Sequence, residues 1–271
     1  MKITALLENT VKDPALKAKH GLSFYIETTK HKVLFDLGPD DSYIHNAQMM
    51  GIDLTQVDTV IISHGHYDHG GALASFFSIN DRAKVFLRPQ AFGPYYYKRL
   101  FKKKYIGLDV ELVVNDRIFY TDDTLPIDEE LFIFSDVQGQ HSGKSGHCLH
   151  KKTANGYKRD DFLHEQNLIV TAEGKSVLFS GCSHRGIDNI LKAAENHQSG
   201  IQAVFGGFHL FNPTTKAVES PKLIGELANE LAESDIVYYT GHCTGNDAFE
   251  ILKGIMGEKI QYFATGSVVE F

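Results

Sequence analysis

Tryptophan is absent from the 271 residues, methionine occurs four times and cysteine three times. Without Trp, the bulk of any core falls to the 18 Phe and 12 Tyr together with the aliphatic residues. Three cysteines, Cys148, Cys182 and Cys243, make an odd number with no paired spacing. A disulfide framework is therefore not expected, and a reducing cytoplasm is the default location. No apolar run approaches the roughly 20 residues that a membrane-spanning helix needs. The opening "MKITALLENTVKDP" carries too short an apolar segment for a signal peptide, so no membrane partner is expected. Positive charge is also in deficit: 27 Lys and Arg stand against 34 Asp and Glu, a net charge of -7. That balance argues against broad binding to nucleic acid or anionic lipid, although a local patch can still be basic.

What is present reads as an ordinary folded protein, 42% apolar and 23% charged. The expectation is one domain spanning 1–271. "KITALLE", "LSFYIETT", "KHKVLFDLG", "VDTVIIS" and "AKVFLRP" read as strands, with "SYIHNAQMMGI" and "GGALASFFSIN" as helices between them. In the second half, "QNLIVTAEGKSVLFSG" reads as a hairpin turning at Glu173-Gly174. After it come "GIDNILKAAENH" (helix), "IQAVFGGFHL" (strand), "PKLIGELANELAES" (helix), "DIVYYTGHCTG" (strand) and "NDAFEILKGIMG" (helix). Strands followed by helices predict a layered α/β protein. The stretch 90–160 breaks the pattern, with few strand or helix signals in its polar part, and is expected to be a mobile or substrate-covering insertion.

Fourteen histidines are present, and most of them sit in motifs. In "IISHGHYDHGG", His64, His66, Asp68 and His69 fall within six positions at the end of a buried strand. Imidazole and carboxylate are poor core material and good metal ligands. His64 and His66 can grip one ion, while Asp68 and His69 in the following turn can face a second about 3.5–4 Å away. Cys182, His209 and His242 each follow another strand end, where loops converge and ligand sites form. His and Asp suit Zn, Fe or Mn, and a thiolate tilts the choice towards Zn. A tract "GHCLH", with His147, Cys148 and His150, could hold a further ion, but such a tract in a polar loop is a weak signal. Ser183 has no base or orienting acid specified by sequence, and Cys243 reads as structural.

The stretch "SHGHYDHGG", with "VLFDLG" upstream of it, resembles the hallmark of the metallo-β-lactamase superfamily. The resemblance implies an αββα sandwich with a two-metal site at one edge, and Asp36 supporting the metal loop from behind. It implies His64, His66 and His164 for one metal, and Asp68, His69 and His209 for the other. Cys182 stands between them, where most members carry an aspartate. "GCSHRGI", "GGFHL" and "TGHCTG" narrow the resemblance to the branch named for 7,8-dihydropterin-6-methyl-4-(β-D-ribofuranosyl)-aminobenzene-5′-phosphate synthase. The function so implied is a binuclear metal-dependent hydrolase or group-transfer enzyme on a small, phosphate-bearing molecule of pterin-related type, working through a metal-activated hydroxide. Asp68 would orient that hydroxide, and His184 or His242 would donate a proton to the leaving group or bind developing negative charge. The rivals are a di-iron redox enzyme on the same fold and a non-enzymatic metal-dependent ligand sensor. A homo-oligomer is compatible with the composition. The basic-aromatic "YYYKRLFKKKYIGL" offers two readings: an anion-binding wall or lid over the metals, or a solvated amphipathic helix.

Overall fold

In a computed structural model, the structure describes residues 1–139 and 143–271. The chain passes between two compact units. The first comprises Met1–Asp122, Cys148–Gln166 and Ala264–Phe271, and the second Asp123–His147 and Asn167–Phe263.

The first unit opens with β1 (Lys2–Leu7), β2 (Ser23–Glu27) and β3 (Lys32–Phe35), a meander of antiparallel strands. Helix α1 (Ser42–Met49) follows. β4 (Thr59–Ile61) then adds parallel to β3. The single turn α2 (Tyr67–Gly70) and helix α3 (Leu73–Ile79) lead to β5 (Lys84–Leu87), which is parallel to β4. The apolar, β-branched composition of these strands suits burial on both faces. Val33, Leu34, Val60, Ile61 and Val85 are all fully buried. The helices contribute Tyr43, Ala47, Leu73 and Phe76 to the same core.

A second, four-stranded sheet of this unit comes from the segment in which few strand signals were expected. β6 (Tyr95–Arg99) and β7 (Lys102–Tyr105) form a hairpin over "YYYKRLFKKKY". The amphipathic-helix reading of this stretch is therefore corrected. Three consecutive tyrosines favour a pleated strand, and the alternation places Tyr95 inward and Tyr96 outward. β8 (Ile118–Tyr120) completes the large sheet beside β5. The second unit starts with β9 (Thr124–Pro126) and β10 (Leu131–Phe134). The chain then returns to the first unit for β11 (Leu149–Thr153) and β12 (Gly156–Arg159), which extend the β6–β7 sheet to the order β12-β11-β6-β7. These strands carry no apolar alternation because little of either is buried.

The rest of the second unit is regular. β13 (Asn167–Ala172) and β14 (Lys175–Phe179) form the expected hairpin, with Glu173 and Gly174 both at positive φ (53° and 74°). That is the backbone a two-residue turn requires between right-twisted strands. Then α4 (Ile187–His197), β15 (Ile201–Gly206), α5 (Pro221–Ala232), β16 (Val237–Thr240), α6 (Asn246–Met256) and β17 (Ile260–Tyr262) alternate. β14, β15, β16 and β17 run parallel. Each helix buries one stripe at helical spacing: Ile187, Ile190, Leu191 and Ala194 on α4, Ile224, Ala228 and Leu231 on α5, and Ala248, Leu252 and Met256 on α6. β18 (Val268–Glu270) closes the chain beside β1 in the first unit. Among the described residues, no helix is long and apolar enough to cross a membrane.

Candidate metal centre

The first unit builds its donor set where two parallel strands end. Asp36 follows β3 and Ser63 follows β4, so their side chains emerge at the same sheet edge. Asp36 sits fully buried in the left-handed region (φ 61°), an unusual conformation held by three hydrogen bonds. Its Oδ1 accepts from the Ser63 backbone N–H at 2.7 Å, and its Oδ2 accepts from Ser63 Oγ at 2.7 Å. The same Oδ2 accepts from His69 Nδ1 at 2.6 Å. Ser63 Oγ has given its proton to Asp36, so it accepts from His64 Nδ1 at 2.9 Å. One buried carboxylate thus assigns the tautomers of two imidazoles. Both His64 and His69 carry the proton on Nδ1 and the lone pair on Nε2, the state a metal requires, with a carboxylate behind it.

His66 and Asp68 complete this half. The His64 ring lies 4.7 Å from that of His66 and 4.1 Å from that of His69. His64 and His66 bring ring nitrogens within 4.8 Å of one another, and so do His64 and His69. The Asp68 carboxylate stands 3.2 Å from His20 Nε2 and 3.9 Å from His69 Nε2. His20 has no motif around it and was not legible in the sequence. Gly65 is required because a Cβ there would meet the Ala91 carbonyl oxygen at 2.1 Å. The loop can run between its two histidines only if position 65 has no side chain.

His164 is brought beside these histidines, its ring 5.9 Å from His64 and 5.2 Å from His66. Its bonding differs from that of the expected ligand. Nδ1 accepts from the Gly65 backbone N–H at 2.8 Å, which requires a lone pair on that atom. Nε2 donates to Asp160 Oδ2 at 3.1 Å. Both ring nitrogens are therefore committed to protein groups, and the Tyr95 ring packs on the imidazole at 4.0 Å. Burial pushes the His164 pKa down, which keeps the ring neutral and fits this tautomer. Burial alone would raise the Asp160 pKa, but the neighbouring His164 and His66 outweigh it and hold the carboxyl well below the usual carboxylate range. Asp160 also stands 3.8 Å from His66 Nε2. It lies in "KRDDF", where nothing local distinguishes it from its neighbour Asp161.

The second unit presents its donors by the same device. Cys182, His209 and His242 follow the ends of the parallel strands β14, β15 and β16 and so gather at one sheet edge. Ligand atoms of Cys182, His184 and His209 lie within 4.8 Å of one another, and so do those of Cys182, His242 and Cys243. All five residues are buried. The His184 and His209 rings meet at 4.3 Å. Ser183, His209 and His242 all have positive φ (53°, 49° and 50°), so the backbone strain of this unit concentrates on its donor loops. Thr244 supports two of these loops, since its Oγ1 accepts from Phe208 N at 2.9 Å and lies 2.6 Å from Thr240 Oγ1. A Cβ on Gly207 would meet Cys243 Sγ at 2.4 Å, so this glycine admits the second thiol. Cys243, read from sequence as structural, donates from Sγ to the Cys182 carbonyl oxygen at 3.6 Å and so ties the two loops together. Ser183 bonds to Ser180 Oγ at 2.9 Å, with no base placed to activate it. Each unit's donors fit divalent metal: imidazoles with assigned tautomers and a carboxylate in the first, imidazoles and a thiol in the second, buried where uncompensated polar groups would be costly.

Residues 16–142 match the family model described as the Metallo-beta-lactamase superfamily. The chain is 26% identical over 273 residues to 7,8-dihydropterin-6-methyl-4-(beta-D-ribofuranosyl)-aminobenzene-5'-phosphate synthase of Methanocaldococcus jannaschii, covering 94% of this chain and 90% of that protein. Among solved structures it is similar to Tm1679, described as a metal-dependent hydrolase of the beta-lactamase superfamily. There the identity is 28% and the TM-score 0.82, over 100% of this chain and 99% of that one. Zinc-bound PqqB from Methylobacterium extorquens shares the fold at a TM-score of 0.60 and 10% identity, with both chains fully covered. The motif match, the whole-length relatives and the fold agree: the chain is similar to the metallo-β-lactamase superfamily in its family model, its relatives and its fold.

Proposed function

We propose that this protein is a metal-dependent enzyme with a two-metal centre, transferring or hydrolysing a group on a small phosphate-bearing molecule. The observation that carries the reading is the Asp36–Ser63 network, which sets His64 and His69 in the ligating tautomer. The proposed ligands are His64, His66, Asp68 and His69 in the first unit, with Cys182 and His209 as the donors of the second. Zinc is the ion this set suits best, given a buried thiol among imidazoles. When bound, the ions supply an acidified water and a Lewis acid for the substrate oxygen.

The chain's own residues supply the rest. Asp68, held by His20, orients the nucleophile. His184 and His242 are proposed to deliver a proton to the leaving group. His164 is assigned to positioning, because its two nitrogens are used to hold Gly65 and Asp160. A phosphate-bearing substrate, with a pterin-related one first among candidates, is supported by the relative whose name specifies such a molecule. Lys151, over the Tyr95 ring at 5.8 Å, gives the neighbourhood of the metal loop a cation suited to phosphate.

The test is hydrolysis of a bis-aryl phosphodiester and of aryl esters, with metal analysis of the same preparation. The expected result is turnover that a chelator abolishes and added zinc restores, with about two equivalents of metal per chain. Turnover indifferent to the chelator, or bound iron with oxygen consumption, would remove this reading.

A further inference from the structure

The sheet β12-β11-β6-β7 has a composition unlike the rest of the molecule. Its strands read YYYKR, KKKY, LHKKT and GYKR, with nine Lys or Arg and no Asp or Glu. A third of the chain's 27 basic residues thus lies on four short strands of a protein with net charge -7. Among the described residues, only Lys158 of the nine has a carboxylate partner, Asp161 at 2.8 Å. The other eight charges are spent on no internal ion pair.

The tip of the β6–β7 hairpin is equally unusual. Arg99 pairs with Lys102, so Leu100 and Phe101 form a two-residue connection. Leu100 is 83% exposed and Phe101 is 99% exposed. Such turns ordinarily carry Gly, Asn or Asp, the more so where φ is positive, and Leu100 sits at φ 51°. An apolar pair therefore occupies a strained turn where it buries nothing. On the outward face, Tyr96 meets Tyr105 at 5.4 Å and Tyr157 at 5.2 Å, and the Lys98 and Lys103 ammonium groups lie over the Tyr157 ring.

We infer that this sheet docks the protein on an anionic lipid surface, with Leu100 and Phe101 entering the acyl boundary and the lysines meeting the headgroups. The two anomalies are explained together only by that partner. Unpaired lysines are drawn to anionic headgroups. A fully exposed Leu-Phe tip gains by leaving water only if an apolar phase lies beyond the charges. Tyrosine is the side chain suited to the boundary between the two. A single-stranded nucleic acid would match the charge but not the tip. It would also want open aromatic faces for its bases, whereas these rings pack edge-on against one another beneath lysines. A second copy of the chain would place like charges against each other.

Vesicle sedimentation with the full-length protein tests this. The probes are vesicles of phosphatidylcholine alone and vesicles containing about 30% phosphatidylglycerol. The parent should pellet with the anionic vesicles, remain in solution with the zwitterionic ones, and release as salt is raised. Leu100→Ser/Phe101→Ser should weaken partitioning by about tenfold or more, and Lys102→Glu/Lys103→Glu should abolish it. Both variants should keep the parent's circular dichroism and metal content, because none of the four residues touches the metal loop. Equal binding to both vesicle types, or anionic binding that ignores the tip, would overturn the inference. So would retention by a single-stranded oligonucleotide in preference to vesicles, or a dimer in solution that the tip variant dissociates.

Discussion

At the scale of single residues, the centre depends on who holds each proton. Replacing His66 by Ala should remove one metal equivalent. Replacing His164 by Ala should leave the metal stoichiometry unchanged and weaken affinity about 10–100-fold, as loss of a supporting contact does. Elemental analysis combined with chelator competition separates the two outcomes. Gly65→Ala drives a methyl into the Ala91 carbonyl and should cost about 1–3 kcal/mol with loss of metal, read by denaturant unfolding and elemental analysis. Asp160 adds a pH dependence to the metal-free protein. Its folded pKa is lowered, so its contribution is fully present above the unfolded carboxylate value of about 3.9 and is lost as pH falls below it. The unfolding free energy of Asp160→Asn, measured by denaturant titration, should therefore vary less with pH between about 4 and 2 than that of the parent. His64, His66, Asp68 and His69 were legible as candidate site residues because they lie within six positions of one another. His20 and Asp160 were not, because a lone His or Asp in a polar loop looks the same whether it faces solvent or a metal loop.

At the scale of elements, apolar periodicity carried the regular parts. The stripes of α4, α5 and α6 and the unbroken apolar runs of β4 and β14 each name their partner face, the core. Helix α5 also states its own start. Ser220 accepts from the Leu223 N–H at 3.3 Å, and Pro221 takes the first helical position, where no amide is needed. Ser220→Ala should cost about 1 kcal/mol, measured as a shift in the urea midpoint with an unchanged slope. The four strands of the basic sheet were illegible for the opposite reason. Strands that are at most half-buried outside Tyr95 have no apolar alternation to show, and "HKKTANGYKR" reads as a polar loop until β11 finds β6 across the intervening sequence.

At the scale of the whole molecule, metal and fold should be coupled, since buried imidazoles and thiols without a metal are costly to hold together. Saturating zinc at about 100 times its Kd should add roughly 2.7 kcal/mol and raise the melting temperature by about 5–10 °C, and a chelator should reverse the shift. A melting temperature indifferent to both would uncouple the donor sets from stability. The sequence by itself determined the resemblance to the superfamily, the layered α/β class, half of the strands and most of the helices, and the histidine motif, because each is written in local spacing or in a run of a few residues. Only the tertiary structure decided the bonding within the site. The Gly65 amide and His164 are 99 residues apart, yet their hydrogen bond determines that this imidazole supports the loop. The Cys243 thiol reaches the Cys182 carbonyl because β16 lies parallel to β15 and Gly207 leaves room for its sulfur. Hydrogen-bond partners are chosen by position in space, and no sequence spacing records which of two competing acceptors a ring nitrogen will meet.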